Sequence, residues 1–238
     1  MADYNYDKFS SGEYALSKFH APELGGKAPD FALDDLDGGT QNLLDFDTEF
    51  LVLEIGSITC PLFQSRRKTM TSLVDKFDNA SFAILYVREA HPGSHLPQHK
   101  TKADKIGNAR ALRDADGEGR RILVDDISGA AHARYGKYPN AVFIINRNGC
   151  VLFRADWNNP VATGKALAAL SAGKPATGMG MFVPPKPPVA IKTLKDAGPG
   201  AVPDFLKSLP SLIWNNLIKR NWRVLTGRVP KVLPDAQC

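Results

Sequence analysis

Two apolar runs, FLVLEIGS (50–57) and SFAILYVREA (81–90), constrain the fold of this chain more than anything else in it. Each is short, continuous and rich in aliphatic and β-branched residues, the pattern of a strand buried on both faces. Between them, CPLFQSRRKTMTSLVDKF (60–77) carries apolar residues at helical spacing in its second half, with Pro61 where a first helical turn accepts it. Strand, helix and strand in that order imply a crossover connection and a parallel pair. Open sheets of this kind gather ligands at the carboxyl ends of their strands. Cys60 stands at such an end, on the last step before the helix, and CPLF holds no second cysteine.

The rest of the chain completes a mixed sheet. GGKAPDFALDDLDGGTQNLLDF (25–46) turns at DGG and reads as a hairpin, and RRILVDD (120–126) as a third buried strand. HKTKADKIGNARALRDA (99–115) and SGAAHARYG (128–136) read as helices. NAVFIINRNGCVLFRAD (140–156) is strand, Asn-Gly turn and strand, and VATGKALAALSAG (161–173) a closing helix stopped by Gly173. The expectation is an α/β mixed sheet with helices on both faces. From Lys174 the chain turns rich in Pro and Gly, like an extended linker or wrapping arm. DFLKSLPSLIWNNLIKRNWRVLTGR (204–228) reads as a basic amphipathic helix broken or started at Pro210. The expected divisions are an extension (1–24), a core domain (25–173), a linker (174–203) and a helical tail (204–238).

The net charge of +5 is uneven: residues 165–238 carry +8 and residues 1–164 carry −3. The body is therefore slightly acidic, and no nucleic-acid partner is expected. The tail could pack on the core domain or on a second copy in a homodimer, or lie on an anionic membrane surface as a peripheral contact. No signal peptide and no spanning helix are read from the sequence. Three widely spaced cysteines, Cys60, Cys150 and Cys238, argue against a disulfide framework and a zinc site, so a reducing, cytoplasmic setting is the default expectation. Arg66, Arg67 and Lys68 read as a solvated helix face.

Four segments then come in order: GSITCP (56–61), YVREAHP (86–92), LPQHK (96–100) and YGKY (135–138). Together with GKAPDFALDDLDG and the closing hairpin they resemble the iodothyronine deiodinases, within the thioredoxin-fold redoxins. Deiodinases carry selenocysteine at the position of Cys60. The resemblance leaves residues 1–24 and 174–238 uncovered. It also lacks a substrate-holding arginine after the last strand, where Trp157 is found instead. It implies a thioredoxin-like fold and a thiol-dependent oxidoreductase.

Cys60 at a helix N-terminus should be stabilised as a thiolate by unpaired backbone N–H groups and the helix dipole. From spacing alone, Glu89 and His91 read equally as a solvated strand end or as an acid–base pair; the EAHP match favours the pair, with Glu89 orienting His91. Tyr86 is a substrate-facing hydroxyl or core, and His99, a lone loop histidine, gains a site role only from the Pro-Gln-His match. Ser57 and Thr59 offer hydroxyls to the thiolate. Ser57 sits where peroxiredoxins place one, but Leu53 replaces their proline. The thioredoxin resemblance places Pro139 against Cys60 as a cis proline. Cys150 lies too far away to resolve Cys60, and Cys238, on a flexible end, is a minor candidate. No metal and no bound cofactor are expected. The reductant would be an external thiol such as glutathione, thioredoxin or dithiothreitol, and the substrate a halogenated phenol. The other readings are a one-cysteine peroxidase and a non-enzymatic redox-sensing module.

Overall fold

A computed structural model describes residues 4–14, 16, 18–114, 117–176 and 178–238. Strand β3 (Phe50–Gly56) is the spine of the sheet, and every residue in it is buried. Its side chains alternate as a strand requires: Leu51, Leu53 and Ile55 enter one apolar cluster, Phe50 and Val52 the other. Strand β4 (Ala80–Tyr86) pairs with it in parallel, Phe50 opposite Ala80 and Gly56 opposite Tyr86. Strand β5 (Arg121–Val124) continues the parallel set. The hairpin β1 (Ala32–Asp35)/β2 (Thr40–Asn42) adds antiparallel strands beyond β5, and the hairpin β6 (Val142–Asn146)/β7 (Val151–Ala155) does so beside β3. The seven strands run β2-β1-β5-β4-β3-β6-β7. This is a thioredoxin-like mixed sheet, as the order of runs in the sequence predicts.

Helices α1 (Pro61–Val74) and α4 (Pro160–Ser171) cover one face through Met70, Leu167 and Leu170. Both begin with Pro at the first position after a capping side chain, as Pro61 predicts for α1: Asn159 accepts from Val161 and Ala162 N–H, and Cys60 from Phe63 N–H. Helix α2 (Lys102–Asp114) packs Ala109 and Leu112 beside β4 and β5. The short α3 (Ala130–Arg134) lies on the opposite side from α1, with Tyr135 and Tyr138.

Three expectations need correction. Arg66 and Arg67 are buried, and only Lys68 of that trio is exposed. Arg67 Nε meets Glu118 at 3.1 Å, and Arg120 joins Glu118 (2.8 Å) to Glu54 (2.6 Å). Arg66 donates to the Asn140 side chain, and Asn140 and Asn158 both donate to Glu54. Charges at this depth persist only when paired, and these partners come from distant parts of the chain. Second, Cys150 and Cys238 form a disulfide across 88 residues, which removes the ground for expecting a reducing compartment. The C-terminus is pinned rather than flexible: Asn146 Nδ2 also donates to the carbonyls of Pro234 and Ala236.

Third, the region expected to be a linker contains helix α5 (Pro187–Ala197), seated on α1. Its end receives the N–H groups of His95 and Leu96 at the Ala197 carbonyl. A helical run follows, α6 (Ala201–Leu212), a π-helical stretch (213–220) and α7 (Asn221–Thr226), with Pro210 inside α6 rather than at a break. Two polar anchors hold this rod to the sheet: Arg220 pairs with Asp156 at 2.6 Å, and Trp157 Nε1 donates to Asn216 at 2.8 Å.

Candidate active site

The carboxyl end of β3 meets the first turn of α1 very closely. A Cβ on Gly56 would lie 2.4 Å from the Phe63 ring, so only glycine lets the helix start there. Cys60 then caps α1, with Phe63 N–H 3.5 Å from its Sγ. That contact, the Leu62 N–H and the Arg66 guanidinium all favour a thiolate, as the sequence predicts. Burial wins, however: Cys60 is 1% exposed, and its thiol is pushed up to about 11. The expected thiolate is a thiol here because α5 and α6 roof it.

The roof covers a cavity of about 410 Å³ lined by Cys60, His91, Phe9, Trp157, Phe182 and Phe205 among others. Pro139 and Cys60 both line it, but every peptide bond among the described residues is trans, so the expected cis proline is not found. The Tyr138 carbonyl, which a thioredoxin-like cis turn would leave free for substrate, instead faces His132 Nε2 at 3.2 Å.

Glu89 is the hub of the polar side of the site. β4 ends at Tyr86, so Glu89 and His91 sit on the following loop rather than on alternating strand positions. Tyr86 OH donates to Glu89 Oε1 (2.5 Å) and Thr59 Oγ1 to Oε2 (2.5 Å); the Thr59 N–H also reaches Oε2 (3.2 Å). The histidine that Glu89 orients is His99, whose Nε2 is 2.9 Å from Oε1; His91 is not its partner. The loop turns between residues 87 and 99, and this brings His99 back over the strand end. Burial pushes the Glu89 carboxyl up, but His99 and the Thr59 and Tyr86 hydroxyls outweigh it, and the group lies below its usual range. Burial and the neighbouring Glu89 hold Tyr86 well above an ordinary phenol.

Ser57 and Thr59 do not offer their hydroxyls to Sγ. Ser57 Oγ accepts from Ala90 N–H, and Thr59 Oγ1 accepts from His91 N–H while donating to Glu89. They fasten the Glu89–His91 loop to the cysteine turn. His91 itself points into the cavity, 4.0 Å from the Phe9 ring centroid and 5.5 Å from Phe205. It is 7% exposed, its Nδ1 has no partner, and burial pulls it down to about 3. It is thus a neutral imidazole with a free nitrogen in an apolar chamber.

The sequence reading missed several supports. Gln98 accepts the Glu89 N–H (2.8 Å) and donates to the Glu89 carbonyl (3.1 Å). Its place in the Pro-Gln-His segment was the available signal. Asn108 Nδ2 reaches Glu89 Oε1 at 3.1 Å from the first half of α2. Arg88 lies among three tyrosine rings, Tyr4, Tyr6 and Tyr14, at 5.0, 4.5 and 5.6 Å. Those rings come from the extension that the sequence reading set apart, and Tyr14 and Phe9 reach the cavity wall.

With this geometry in view, the relatives fit. The family model described as Iodothyronine deiodinase matches residues 4–158, so it takes in the N-terminal residues that the resemblance left uncovered and stops before the tail. Thyroxine 5-deiodinase of Rattus norvegicus is 30% identical over 152 residues, 58% of this chain and 49% of that protein. Type I iodothyronine deiodinase of Xenopus laevis is 28% identical over 142 residues, 55% of this chain and 56% of that protein. The chain spans about half the length of the curated relatives it matches. At the level of fold alone, an uncharacterized conserved protein from Geobacillus kaustophilus superposes with a TM-score of 0.53 at 19% identity, covering 65% of this chain and 85% of that one. A family match across most of the chain, centred on a helix-capping cysteine and a buried Glu–His hub, places this protein in the iodothyronine deiodinase family.

Proposed function

We propose that the protein is a thiol-dependent oxidoreductase that removes halide from a halogenated phenol. The observation that carries the reading is that Cys60 and a neutral, unpartnered His91 line one apolar cavity. A halophenol is an apolar ring with one hydrogen-bonding group, and this chamber offers apolar walls with a free imidazole nitrogen.

The chemistry balances with the groups at hand. Cys60 Sγ attacks the halogen, the carbon–halogen bond breaks, and its electron pair stays on the ring carbon. As that bond breaks, the thiol proton is relayed through His91 to the ring carbon in one concerted step, so the buried imidazole never stands charged. The products are the dehalogenated phenol and a Cys60 sulfenyl halide. One external thiol displaces halide to give a mixed disulfide, and a second releases Cys60 as the thiol. Each turnover thus oxidises two thiols to one disulfide. Glu89 and His99 are positioning residues: through Thr59 they hold both the cysteine turn and the His91 backbone. Glutathione, thioredoxin and dithiothreitol all have the required chemistry, and no bound cofactor takes part.

The experiment is iodide release from an iodinated phenol under excess thiol, with Cys60→Ser in parallel. The reading requires release that disappears in the variant. Rapid Cys60 oxidation by hydrogen peroxide without any halide release would favour the one-cysteine peroxidase instead.

A further inference from the structure

The helical rod from Ala201 to Thr226 has two apolar faces, and the cavity uses only one. Phe205, Leu209, Leu212 and Leu217 line the cavity. Trp214, Ile218, Trp222 and Leu225 lie in solvent, with Trp222 and Leu225 exposed by 68% and 69%. A packed helix hides one stripe and wets the other. Two tryptophans and two aliphatic side chains left outside mark an interaction surface.

Charge identifies what covers it. Residues 205–234 contain six Lys and Arg and no Asp or Glu. Arg220 is consumed by Asp156 inside the protein. Lys207, Lys219, Arg228 and Lys231 are exposed, while Arg223 donates to the Leu16 carbonyl at 3.3 Å. Lys219 Nζ stands 5.6 Å over the Trp214 ring, and Lys219 and Arg223 flank Ile218 and Trp222 in a shallow concavity closed by Leu16 and Asn215. Indole rings and aliphatic side chains with cations beside them suit the boundary between lipid headgroups and acyl chains. No helix among the described residues is long and apolar enough to cross a membrane.

We infer that this face docks flat on an anionic bilayer surface. Lipid phosphates supply the counter-charge that the stretch lacks. A second copy of the chain does not: an isologous contact would bring two acid-free cationic stripes together. The rod would be about 40 Å long at 1.5 Å per residue, and it would lie in the plane of the headgroups. The inference is independent of the dehalogenation reading.

The test is sedimentation of the full chain with vesicles of phosphatidylcholine alone or mixed with phosphatidylglycerol. Wild type should pellet with the anionic vesicles, much less with the neutral ones, and be released by added salt. Trp222→Glu with Leu225→Glu changes only exposed side chains, so the circular dichroism spectrum and melting temperature should hold while binding weakens at least about tenfold. Equal binding by wild type and variant, equal binding to both vesicle types, or no binding to either overturns the proposal. So does a wild-type dimer in sedimentation velocity that the double variant splits, without vesicle binding; that result would assign the stripe to a second copy.

Discussion

Glu89 receives the hydroxyls of Thr59 and Tyr86, the imidazole of His99 and the amide of Asn108, and so ties the cysteine turn to three other parts of the chain. Glu89→Gln keeps its size but removes the charge that holds His99. Halide release should fall about 100-fold, the usual scale for a disrupted acid–base arrangement; an unchanged rate would remove Glu89 from the account. His91 acts differently. It is neutral because it is buried, so His91→Phe should cost turnover while leaving the fold intact. Spacing alone leaves Glu89 and His91 even between an acid–base pair and a solvated strand end, and the EAHP match is what favours the pair, on an apolar run that reads as strand through residue 90. β4 stops at Tyr86, and the loop then decides which histidine returns. That outcome depends on contacts such as Gln98 to the Glu89 backbone, which no local pattern reports.

At the scale of elements, β3, β4 and the β6/β7 hairpin were legible because burial on both faces leaves uninterrupted apolar runs. Cys60 was legible because strand end, capping side chain and Pro61 coincide. The roof was not. α5 opens on two prolines inside a Pro- and Gly-rich stretch, and its helix rests on packing against α1 and on the loop at 93–96. The buried Arg66 and Arg67 read as polar helix positions, since Glu118 and Asn140 are far along the chain. The roof sets the state of the cysteine. Phe205→Ala with Leu209→Ala should loosen it and let the Cys60 thiol fall toward its usual value near 8.5. Each unit means about tenfold more thiolate at neutral pH, so alkylation by iodoacetamide should speed up about tenfold or more. An unaltered rate would mean that α6 does not guard Cys60. The disulfide closes a loop of 88 residues, and Cys150→Ala with Cys238→Ala should cost about 4.5 kcal/mol in thermal unfolding. A melting temperature within a degree or so of wild type would contradict this.

For the molecule as a whole, the buried histidines set the acid limb of stability. His91 is pulled down to about 3 and His132 well below the usual value, both first by burial. Unfolding returns each to about 6.5, so the unfolded chain binds the extra protons and stability falls as pH drops below about 6.5. Each contributes a slope of at most about 1.4 kcal/mol per pH unit across that window. His91→Phe should flatten it by one proton in denaturant titrations between pH 6.5 and 4.5, and an identical slope would show that His91 is not buried neutral. Cys60 works at the other end: its thiol is raised to about 11, so the stability it contributes is lost as pH climbs from about 8.5 through that value. The His91 and Cys60 trends both follow from the apolar cavity that these two residues line, which the proposed chemistry also needs. The most direct test of that chemistry is iodide release from an iodinated phenol with excess dithiothreitol, for wild type beside Cys60→Ser. The account predicts release by wild type and none above background by the variant. Equal release by both, or none by a wild type whose Cys60 still alkylates, would contradict it.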